Sequence, residues 1–232
     1  MDLVAIILAG GFGTRLQSVV NDVPKPMAPV AGRPFLEWVL DHCQENGIKE
    51  AILSVGYKSE TIINHFGKEY KGIQIKYAVE HEPLGTGGAI RYAMEMLEDD
   101  KNCLILNGDT LFKSDLQKLY SSYMEKSADL IVSMRRMYEF DRYGLVEINE
   151  SNRIISFQEK KYCPEGLING GIYIVSSKLI KQIFPEVKSF SFEKNFLEQY
   201  VKQLNFIGIE QAGYFIDIGI PEDFEKANRD LK

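Results

Sequence analysis

Features that mark several common protein classes are missing from this 232-residue sequence. Its three cysteines, Cys43, Cys103 and Cys163, are widely spaced and form no C-x-x-C pair, so neither a disulfide framework nor a zinc site is expected. Its three histidines are also scattered and lack metal-binding spacing. No apolar run approaches the roughly 18 residues that span a bilayer, and no leader-like segment precedes the first strand-like run. We therefore expect a cytoplasmic protein with reduced thiols.

An excess of positive charge is missing as well. The chain has 27 Lys and Arg residues against 33 Asp and Glu residues, which gives a formal net charge of −6. A broad surface for nucleic acid is therefore not expected, and a site for a polyanion must be a local cluster of cations. We predict neither a nucleic-acid partner nor a membrane partner. Because the chain also has no Pro- or Ser-rich linker and no internal repeat, residues 1–232 are predicted to form one domain.

The sequence does contain an alternation of apolar, strand-like runs with amphipathic, helix-like segments. The runs begin with "LVAIILA" at residues 3–9 and continue to "DLIVSMR" at residues 129–135. This order predicts an α/β fold with a mainly parallel sheet covered by helices on both faces. From about Tyr143, strand-like runs follow one another with short turns, which predicts a smaller antiparallel part over one end of the sheet. Ser114 is predicted to cap the helix that follows it.

A glycine-rich segment, "LAGGFGTRL" at residues 8–16, follows the first strand-like run. Glycines at such a place allow a phosphate group to approach the backbone. The dinucleotide motif G-x-G-x-x-G requires glycine or alanine where Leu16 stands, and the P-loop requires a G-K-[ST] sequence that is absent. Thr14 and Arg15 still offer a hydroxyl group and a bidentate guanidinium group to phosphate oxygens.

A second cationic element follows about ten residues later. Lys25 lies between Pro24 and Pro26, which are predicted to hold it in an extended segment. Together, the L-A-G-G-x-G-T-R-L and P-K-P sequences resemble the signature of the sugar-1-phosphate nucleotidylyltransferases. The resemblance implies a Rossmann-like nucleotidyltransferase fold in which Arg15 holds the triphosphate of a nucleotide and Lys25 contacts the phosphates at the reacting centre. It also implies nucleotide-binding roles for Leu8, Ala9, Gly10, Gly11, Gly13 and Thr14.

The segment "EHEPLGTGGAI" at residues 80–90 joins a strand-like run to a helix-like one. Its glycines Gly85, Gly87 and Gly88 are expected to let a flat ligand approach the backbone. Family members that use thymidine or uridine nucleotides commonly have Gln at the Glu80 position. Because a carboxylate can accept both N1–H and N2–H of guanine, we expect GTP as the nucleotide; a solvated charge at a strand end is the alternative. The nucleotide-binding residues implied here are Glu80, Pro83, Leu84, Gly85, Thr86 and the later Gly108.

Two aspartates follow strand-like runs at distant places in the chain. Asp109 ends "LILNGD", and Asp217 lies in "FIDIG". Open α/β sheets bind ligands at the carboxyl ends of their strands, where two carboxylates can hold Mg²⁺ together with water and substrate phosphates. The resemblance assigns this metal-binding role to the same pair. Turn or capping roles are the alternative.

Three later segments resemble the part of the family that binds the sugar 1-phosphate. They are "RYGLVEI", "FQEKK" and "INGGIY". The resemblance implies that Glu159 accepts hydrogen bonds from sugar hydroxyls, that Lys160 binds the phosphate of the sugar, and that the glycines admit the ring. A surface ion pair and hairpin turns are the alternative. The implied acceptor-site residues are Tyr143, Gly144, Glu159, Lys160, Asn169 and Gly170.

The motifs together predict an enzyme that transfers GMP from GTP to a sugar 1-phosphate, with Mg²⁺ as cofactor. Among compact members of the family, the chain is most similar to those that act on D-glycero-alpha-D-manno-heptose 1-phosphate for bacterial surface polysaccharides. A mannose- or other hexose-1-phosphate guanylyl- or uridylyltransferase is the alternative. A catalytically inactive regulatory subunit would be expected to lack Lys25, Asp109 or Asp217, which are all present. A choline-phosphate cytidylyltransferase fits Lys160 less well, and a homo-oligomer is left open.

Overall fold

The computed structural model describes residues 1–11 and 23–232. In this part of the chain it contains a large central sheet and three two-stranded sheets. The strands, in chain order, are β1 (Leu3–Leu8), β2 (Pro29–Val30), β3 (Arg33–Pro34), β4 (Glu50–Val55), β5 (Glu69–Tyr70), β6 (Ile73–Val79), β7 (Asn102–Asn107), β8 (Thr110–Phe112), β9 (Leu130–Phe140), β10 (Val146–Ile148), β11 (Ile154–Phe157), β12 (Cys163–Ser176), β13 (Phe206–Glu210) and β14 (Phe215–Asp217).

Helices connect most of these strands. They are α1 (Phe35–Glu45), α2 (Ser59–Phe66), α3 (Gly85–Ala93), α4 (Leu116–Glu125), α5 (Ser177–Ile183), α6 (Glu198–Tyr200) and α7 (Pro221–Asp230). Short 3₁₀ turns occupy Lys25–Met27 and Met94–Met96, and a π-helical turn at Phe192–Leu197 leads directly into α6. In the described part of the chain, no helix combines the length and the apolar character needed to cross a membrane.

The central sheet has the strand order β13-β9-β12-β7-β1-β4-β6-β5. Parallel pairs join β1 to β4 and β7, β4 to β6, and β9 to β13. β12 is antiparallel to β7 and β9, and β5 is antiparallel to β6, so the other six strands share one direction. The predicted α/β fold, with a mostly parallel mixed sheet between helices, is confirmed. The antiparallel part is arranged differently from the prediction: β12 lies within the central sheet, whereas β10 and β11 form a separate antiparallel pair.

Strand β1 illustrates how the sheet divides the core into two layers. Ala5 and Ile7 belong to one hydrophobic cluster, and Val4 and Ile6 belong to the other, because successive side chains of a strand point to opposite faces. Side chains from α1, α2, α4 and α7 cover the first face, while α3, α5 and the segment 192–197 cover the second. Since both faces are buried, the polar groups of the central strands can reach solvent or a ligand at the strand ends.

A short antiparallel pair joins two distant parts of the chain near the end of β7. β14 pairs with β8 so that Asp217 lies opposite Thr110. The amide of Ile218 donates a hydrogen bond to the carbonyl oxygen of Asp109 at 3.0 Å. This pairing brings the side chains of Asp109 and Asp217 together, although 107 residues separate them in sequence.

Two local predictions are wrong. Helix α4 is capped by Asp115, whose carboxylate accepts a hydrogen bond from the Lys118 amide at 2.8 Å, because Asp115 directly precedes the helix. Ser114 is instead buried, and no described residue is a hydrogen-bond partner of its hydroxyl group. Lys25 begins a 3₁₀ turn closed by a hydrogen bond from the Ala28 amide, and Pro24 alone keeps the extended conformation. The turn tolerates proline because the first residues of a helix need no N–H partner.

A buried histidine makes the fold sensitive to acid. His42, on α1, is 5% exposed. Burial and the nearby ammonium group of Lys113 lower the pKa of His42 to about 4, although a backbone hydrogen bond at Ser114 partly opposes this shift. The folded protein therefore keeps His42 neutral at pH values at which the unfolded chain protonates it.

We expect the free energy of unfolding to fall as the pH is lowered from about 6.5 towards 4, because unfolding then takes up a proton at His42. The contribution of this residue to the loss should be about 2 kcal/mol at pH 5. Urea unfolding at a series of pH values measures it. His42→Gln should remove this part of the pH dependence, whereas His81→Gln, which removes an exposed imidazole, should retain it. Identical slopes for His42→Gln and the wild type would contradict the assignment.

Candidate active site

A cavity of about 780 Å³ lies where β1, β4, β6 and β7 end. Carboxyl ends of neighbouring parallel strands are the usual place for a ligand in an open sheet. Many residues that the sequence motifs named contribute to its lining. They are Leu8, Gly10, Gly11, Lys25, Glu80, Pro83, Gly85, Thr86, Asp109 and Asp217.

One part of the cavity contains a cluster of three charged side chains. The ammonium group of Lys25 contacts Oδ2 of Asp109 and lies 3.6 Å from Oδ1 of Asp217. Lys25 comes from the 3₁₀ turn, Asp109 follows β7, and Asp217 ends β14, so three separate elements supply the cluster. The Lys25 side chain is 13% exposed, while those of the two aspartates are 34% and 29% exposed. The carboxylates are therefore the more accessible members of the cluster.

The charges of this cluster are not balanced. Burial and the neighbouring carboxylate of Asp109 raise the pKa of Asp217, whereas Lys25, the Gly219 amide and Arg142 favour its ionised form. The Gly219 amide donates to Asp217 Oδ1 at 2.8 Å. With both carboxylates ionised, one ammonium group leaves a net negative charge. A further cation from solution would therefore be attracted to the pair.

The carboxylate of Glu80, which follows β6, lines another part of the cavity. Its Oε1 atom accepts a hydrogen bond from Ser54 Oγ at 2.8 Å, and its Oε2 atom accepts one from the Leu84 amide at 3.2 Å. These contacts fix the carboxylate and close the turn of residues 80–84. Because each carboxylate oxygen has two lone pairs, Glu80 can still accept hydrogen bonds from a ligand in the cavity.

The glycines after Glu80 are needed for packing within the protein. A Cβ atom on Gly87 would overlap the Phe190 ring, and one on Gly88 would overlap the carbonyl oxygen of Lys188. The amides of Gly87 and Gly88 both donate to the Phe190 carbonyl oxygen, at 2.9 and 3.3 Å. Gly85 lines the cavity, but a Cβ atom there would also lie 2.7 Å from the Phe190 carbonyl oxygen. The sequence predicts that these glycines make room for a flat ligand; in the structure Gly87 and Gly88 make room for residues 188–190 and are not among the described lining residues, whereas Gly85 is.

Several predicted nucleotide-binding residues lie behind the lining or outside the described chain. Ala9 is buried, and a Cβ atom on Gly108 would lie 2.8 Å from the Leu8 carbonyl oxygen. Leu84 packs at the start of α3, where its carbonyl oxygen accepts a hydrogen bond from the Phe190 amide. These three residues are not among the described residues that line the cavity. The predicted sites Gly13, Thr14 and Arg15 lie outside residues 1–11 and 23–232.

The predicted acceptor residues are also absent from the described lining of the cavity. Glu159 and Lys160 are exposed. Tyr143 is influenced by the charged cluster: burial, followed by the nearby Asp217 carboxylate, raises the pKa of Tyr143 to about 12. The Tyr143 ring meets the Phe215 ring edge-on at a centroid distance of 5.7 Å.

The glycines of the predicted acceptor segments also make close contacts within the protein. A Cβ atom on Gly144 would lie 2.6 Å from the Gln158 carbonyl oxygen, and one on Gly170 would lie 2.6 Å from the Ser133 carbonyl oxygen. Asn169 donates from Nδ2 to the Tyr173 hydroxyl oxygen at 2.6 Å, and its Oδ1 accepts a hydrogen bond from the Gly171 amide. These contacts fix the backbone around residue 170, where the pairing of β12 with β9 shifts register.

Sequence reasoning missed several residues of the cavity. Gly56 directly follows β4 and Asn107 ends β7, so their position in the α/β pattern could have identified them as lining residues. Thr110 also lines the cavity, at the start of β8 and directly after Asp109. Glu193 also lines the cavity but lies in the π-helical turn, far from any strand end. No pattern in the sequence distinguishes it from the many other glutamates.

Known proteins resemble the chain over nearly its whole length. A protein-family model described as "Nucleotidyl transferase" matches residues 4–232. The D-glycero-alpha-D-manno-heptose 1-phosphate guanylyltransferase of Aneurinibacillus thermoaerophilus is 48% identical over 228 residues, 98% of each chain. The protein of the same name from Campylobacter jejuni subsp. jejuni serotype O:2 is 45% identical over 220 residues, 95% of this chain and 96% of that one. HddC from Yersinia pseudotuberculosis, crystallised with GMP-PN, has a TM-score of 0.86 and 38% identity, covering 99% of this chain and 100% of that chain.

The packing of α3 against residues 188–190 generates a prediction about Gly88. Gly88→Ala should lower the free energy of unfolding by about 1–3 kcal/mol, because the added methyl group meets the backbone of Lys188. Alanine is the better helix former, so helix propensity alone predicts a change of opposite sign. Denaturant unfolding measures the change. Gly11→Ala is the matched control, since no described atom lies within 4 Å of its added methyl group. A stabilised Gly88→Ala variant would contradict the packing role.

Proposed function

Because the chain belongs to the nucleotidyl transferase family, we propose that it transfers GMP from GTP to D-glycero-alpha-D-manno-heptose 1-phosphate. The products are a GDP-heptose and pyrophosphate. The relatives of that name support the choice of reaction and acceptor, and the neighbour crystallised with GMP-PN supports a guanine nucleotide. We further propose that residues 1–232 act as one catalytic domain, which the family match over residues 4–232 supports.

The observation that carries this proposal is the clustering of Lys25, Asp109 and Asp217 in the same cavity as Glu80. A nucleoside triphosphate has a neutral base at one end and a strongly anionic chain at the other. The cavity offers a fixed carboxylate for the N–H groups of a base and a separate cluster with a partly exposed ammonium group for phosphates. Both groups face one cavity of about 780 Å³, which is large enough for a nucleotide.

In the proposed reaction, an oxygen of the sugar phosphate attacks the α-phosphorus of GTP opposite the leaving group. The new bond joins this oxygen to the α-phosphorus, while the bond between the α-phosphorus and the bridging oxygen of pyrophosphate breaks. The nucleophile is already an anion, so no general base is required. We propose that Lys25 neutralises charge on the phosphates and that Arg15 and Lys160 add positive charge from their own segments. Catalysis then consists mainly of positioning and electrostatic stabilisation.

We propose Mg²⁺ as the cofactor, held by Asp109 and Asp217. Their carboxylates are accessible from the cavity and retain a net negative charge beside Lys25, so they fit a hard divalent cation. Within the described ranges, no group of three or more His, Cys, Asp or Glu residues could hold a metal ion. Water and substrate phosphates would therefore complete the coordination shell. When bound, the ion would neutralise negative charge on the phosphates.

The choice of GTP depends on Glu80. Guanine presents two adjacent donors, N1–H and N2–H, and the Glu80 carboxylate is held at the cavity by Ser54 and the Leu84 amide. Uracil and thymine present one donor between two carbonyl oxygens, which a carboxylate would repel. We propose that Pro83, Gly85 and Thr86 lie along the base, since all three line the same cavity.

The remaining proposals concern the acceptor and its cellular context. We propose that Tyr143, Glu159 and Lys160 contact the sugar 1-phosphate, with Gly144, Asn169 and Gly170 shaping that part of the site. This requires Glu159 and Lys160, which are exposed, to approach the cavity when the acceptor binds. We propose that the enzyme works in the cytoplasm, where cysteines stay reduced, as the three free cysteines would require. Its product would be an activated heptose for the synthesis of surface polysaccharides.

Pyrophosphate release tests the proposed function directly. The purified protein would be assayed with GTP, UTP, dTTP and CTP, each combined with D-glycero-alpha-D-manno-heptose 1-phosphate, mannose 1-phosphate and glucose 1-phosphate. We expect the highest kcat/KM for GTP with the heptose. A higher kcat/KM for mannose 1-phosphate would assign the alternative acceptor, and absence of turnover with every pair would reject the enzymatic function.

Asp109→Asn and Asp217→Asn should each lower kcat by about 100-fold or more, because each removes a negative ligand from the proposed metal site. The fold should persist, since asparagine has nearly the same shape. Steady-state pyrophosphate release gives the rates, and circular dichroism checks folding. Asp99→Asn, at an exposed aspartate, is the matched control. Near wild-type turnover in either variant would remove that residue from the metal site.

Glu80→Gln should lower the preference for GTP over UTP by about tenfold, because the amide cannot accept two guanine donors as a carboxylate does. The ratio of kcat/KM values for the two nucleotides measures the effect. Glu60→Gln, on the exposed side of α2, should leave the ratio unchanged. If the nucleotide ranking of Glu80→Gln equals that of the wild type, the guanine argument fails.

A further inference from the structure

Glu193 supplies a second fixed carboxylate to the cavity. Its Oε2 atom accepts hydrogen bonds from Thr86 Oγ1 at 2.7 Å and from Ser191 Oγ at 2.9 Å. Neither a hydrogen-bond donor for its Oε1 atom nor a cation paired with it is found in residues 1–11 and 23–232. Glu193 therefore has an oriented carboxylate with one oxygen left to accept hydrogen bonds from a ligand.

The position of Glu193 is fixed by contacts between residues 184–193 and α3. The Thr86 hydroxyl group accepts a hydrogen bond from the Phe192 amide at 2.9 Å and donates one to the Glu193 carboxylate. It therefore connects the carboxylate to the backbone of the preceding residue. The Gly87 amide donates to the Phe190 carbonyl oxygen, and Arg91 Nε donates to the Phe184 carbonyl oxygen at 2.7 Å. Arg91 is itself 5% exposed. The carboxylate is thus held in place before any ligand binds, which lowers the entropy cost of ligand binding.

The charge of Glu193 limits the part of a ligand that it can contact. A carboxylate repels phosphates, so it is favourable only beside a neutral group that carries donors. Glu80 already faces the donors of the proposed base, which leaves the hydroxyl groups of the ribose and of the acceptor sugar.

The surroundings of Glu193 favour the acceptor sugar. Its charge lies close enough to Tyr173 to contribute, after burial, to raising the pKa of that hydroxyl group. The Tyr173 hydroxyl oxygen accepts a hydrogen bond from Asn169, in the segment proposed for the acceptor. The next part of this segment lies directly behind the lining, because a Cβ atom on Gly171 would lie 3.0 Å from Nδ2 of the lining residue Asn107. Glu193 is therefore hydrogen-bonded to Thr86, in the segment proposed for the base, and its charge acts on Tyr173, the hydrogen-bond partner of Asn169 in the segment proposed for the acceptor.

We propose that Oε1 of Glu193 accepts a hydrogen bond from a hydroxyl group of the acceptor sugar and thereby contributes to the selection of that sugar. This inference rests on the proposed function. It assigns a substrate contact to the segment before α6, in addition to the acceptor residues that the motifs named. The same hydrogen bonds that connect this segment to Thr86 would connect the acceptor side of the cavity to the nucleotide side.

Separate KM values for the two substrates test the assignment. Glu193→Ala should raise the KM for the heptose 1-phosphate by about tenfold or more, the size of one lost hydrogen bond to a charged group. The KM for GTP should change by less than about twofold. Glu198→Gln, which alters an exposed carboxylate on α6, is the matched control and should leave both values unchanged. A larger rise in the KM for GTP would assign Glu193 to the ribose and overturn the inference, as would unchanged KM values.

Monodeoxy analogues of the acceptor identify the hydroxyl group. One analogue should bind the wild-type enzyme at least about tenfold more weakly than the parent sugar phosphate and should show no such difference with Glu193→Ala. Glu193→Gln keeps an oxygen that can accept the hydrogen bonds of Thr86 and Ser191, so the segment should stay in place. The variant should therefore keep the wild-type melting temperature but still bind the acceptor more weakly, which distinguishes a lost substrate contact from a displaced segment. Equal deoxy effects in the wild type and the alanine variant would overturn the inference. Failure of the proposed function would appear differently, as absence of pyrophosphate release by the wild type itself.

Discussion

The contact of Lys25 with Asp109 and Asp217 is the interaction on which the candidate site depends. Two carboxylates held close together repel each other, and an ammonium group with a 13% exposed side chain offsets much of that repulsion. The cluster joins the 3₁₀ turn, the end of β7 and the end of β14. These elements are far apart along the chain and meet only in the folded structure. Its remaining negative charge would attract a further cation from solution, the basis of the proposed metal site.

A second constraint comes from the close approach of residues 188–190 to helix α3. The absence of side chains at Gly87 and Gly88 allows the Phe190 carbonyl oxygen to accept two amide hydrogen bonds. The same helix begins with Gly85 and Thr86, which line the cavity. One set of backbone contacts therefore positions both the proposed base-binding turn and the segment that carries Glu193.

Much of the fold could be predicted because its signals are local. The apolar run at residues 3–9 and its successors form parallel strands, and a chain with helices between such strands has few ways to bury both faces of the sheet. The prediction for β12 was less accurate, because strand periodicity does not tell which neighbours a strand pairs with. Ser114 and Asp115 show the same limit on a smaller scale: both are good capping residues, and packing decided which of them caps α4.

The sequence by itself determined the chemistry available: cations in the first loop and at Lys25, carboxylates at Asp109 and Asp217, and an acidic residue where Glu80 stands. These residues belong to short motifs whose spacing is fixed by the covalent chain, so they can be identified without a structure. Only the tertiary structure decided which of them meet. The pairing of β8 with β14 brings Asp217 beside Asp109, and the packing of residues 188–190 on α3 brings Glu193 into the cavity. Both contacts join segments about a hundred residues apart in sequence, and such contacts form only when the whole core is buried, which local sequence patterns do not encode.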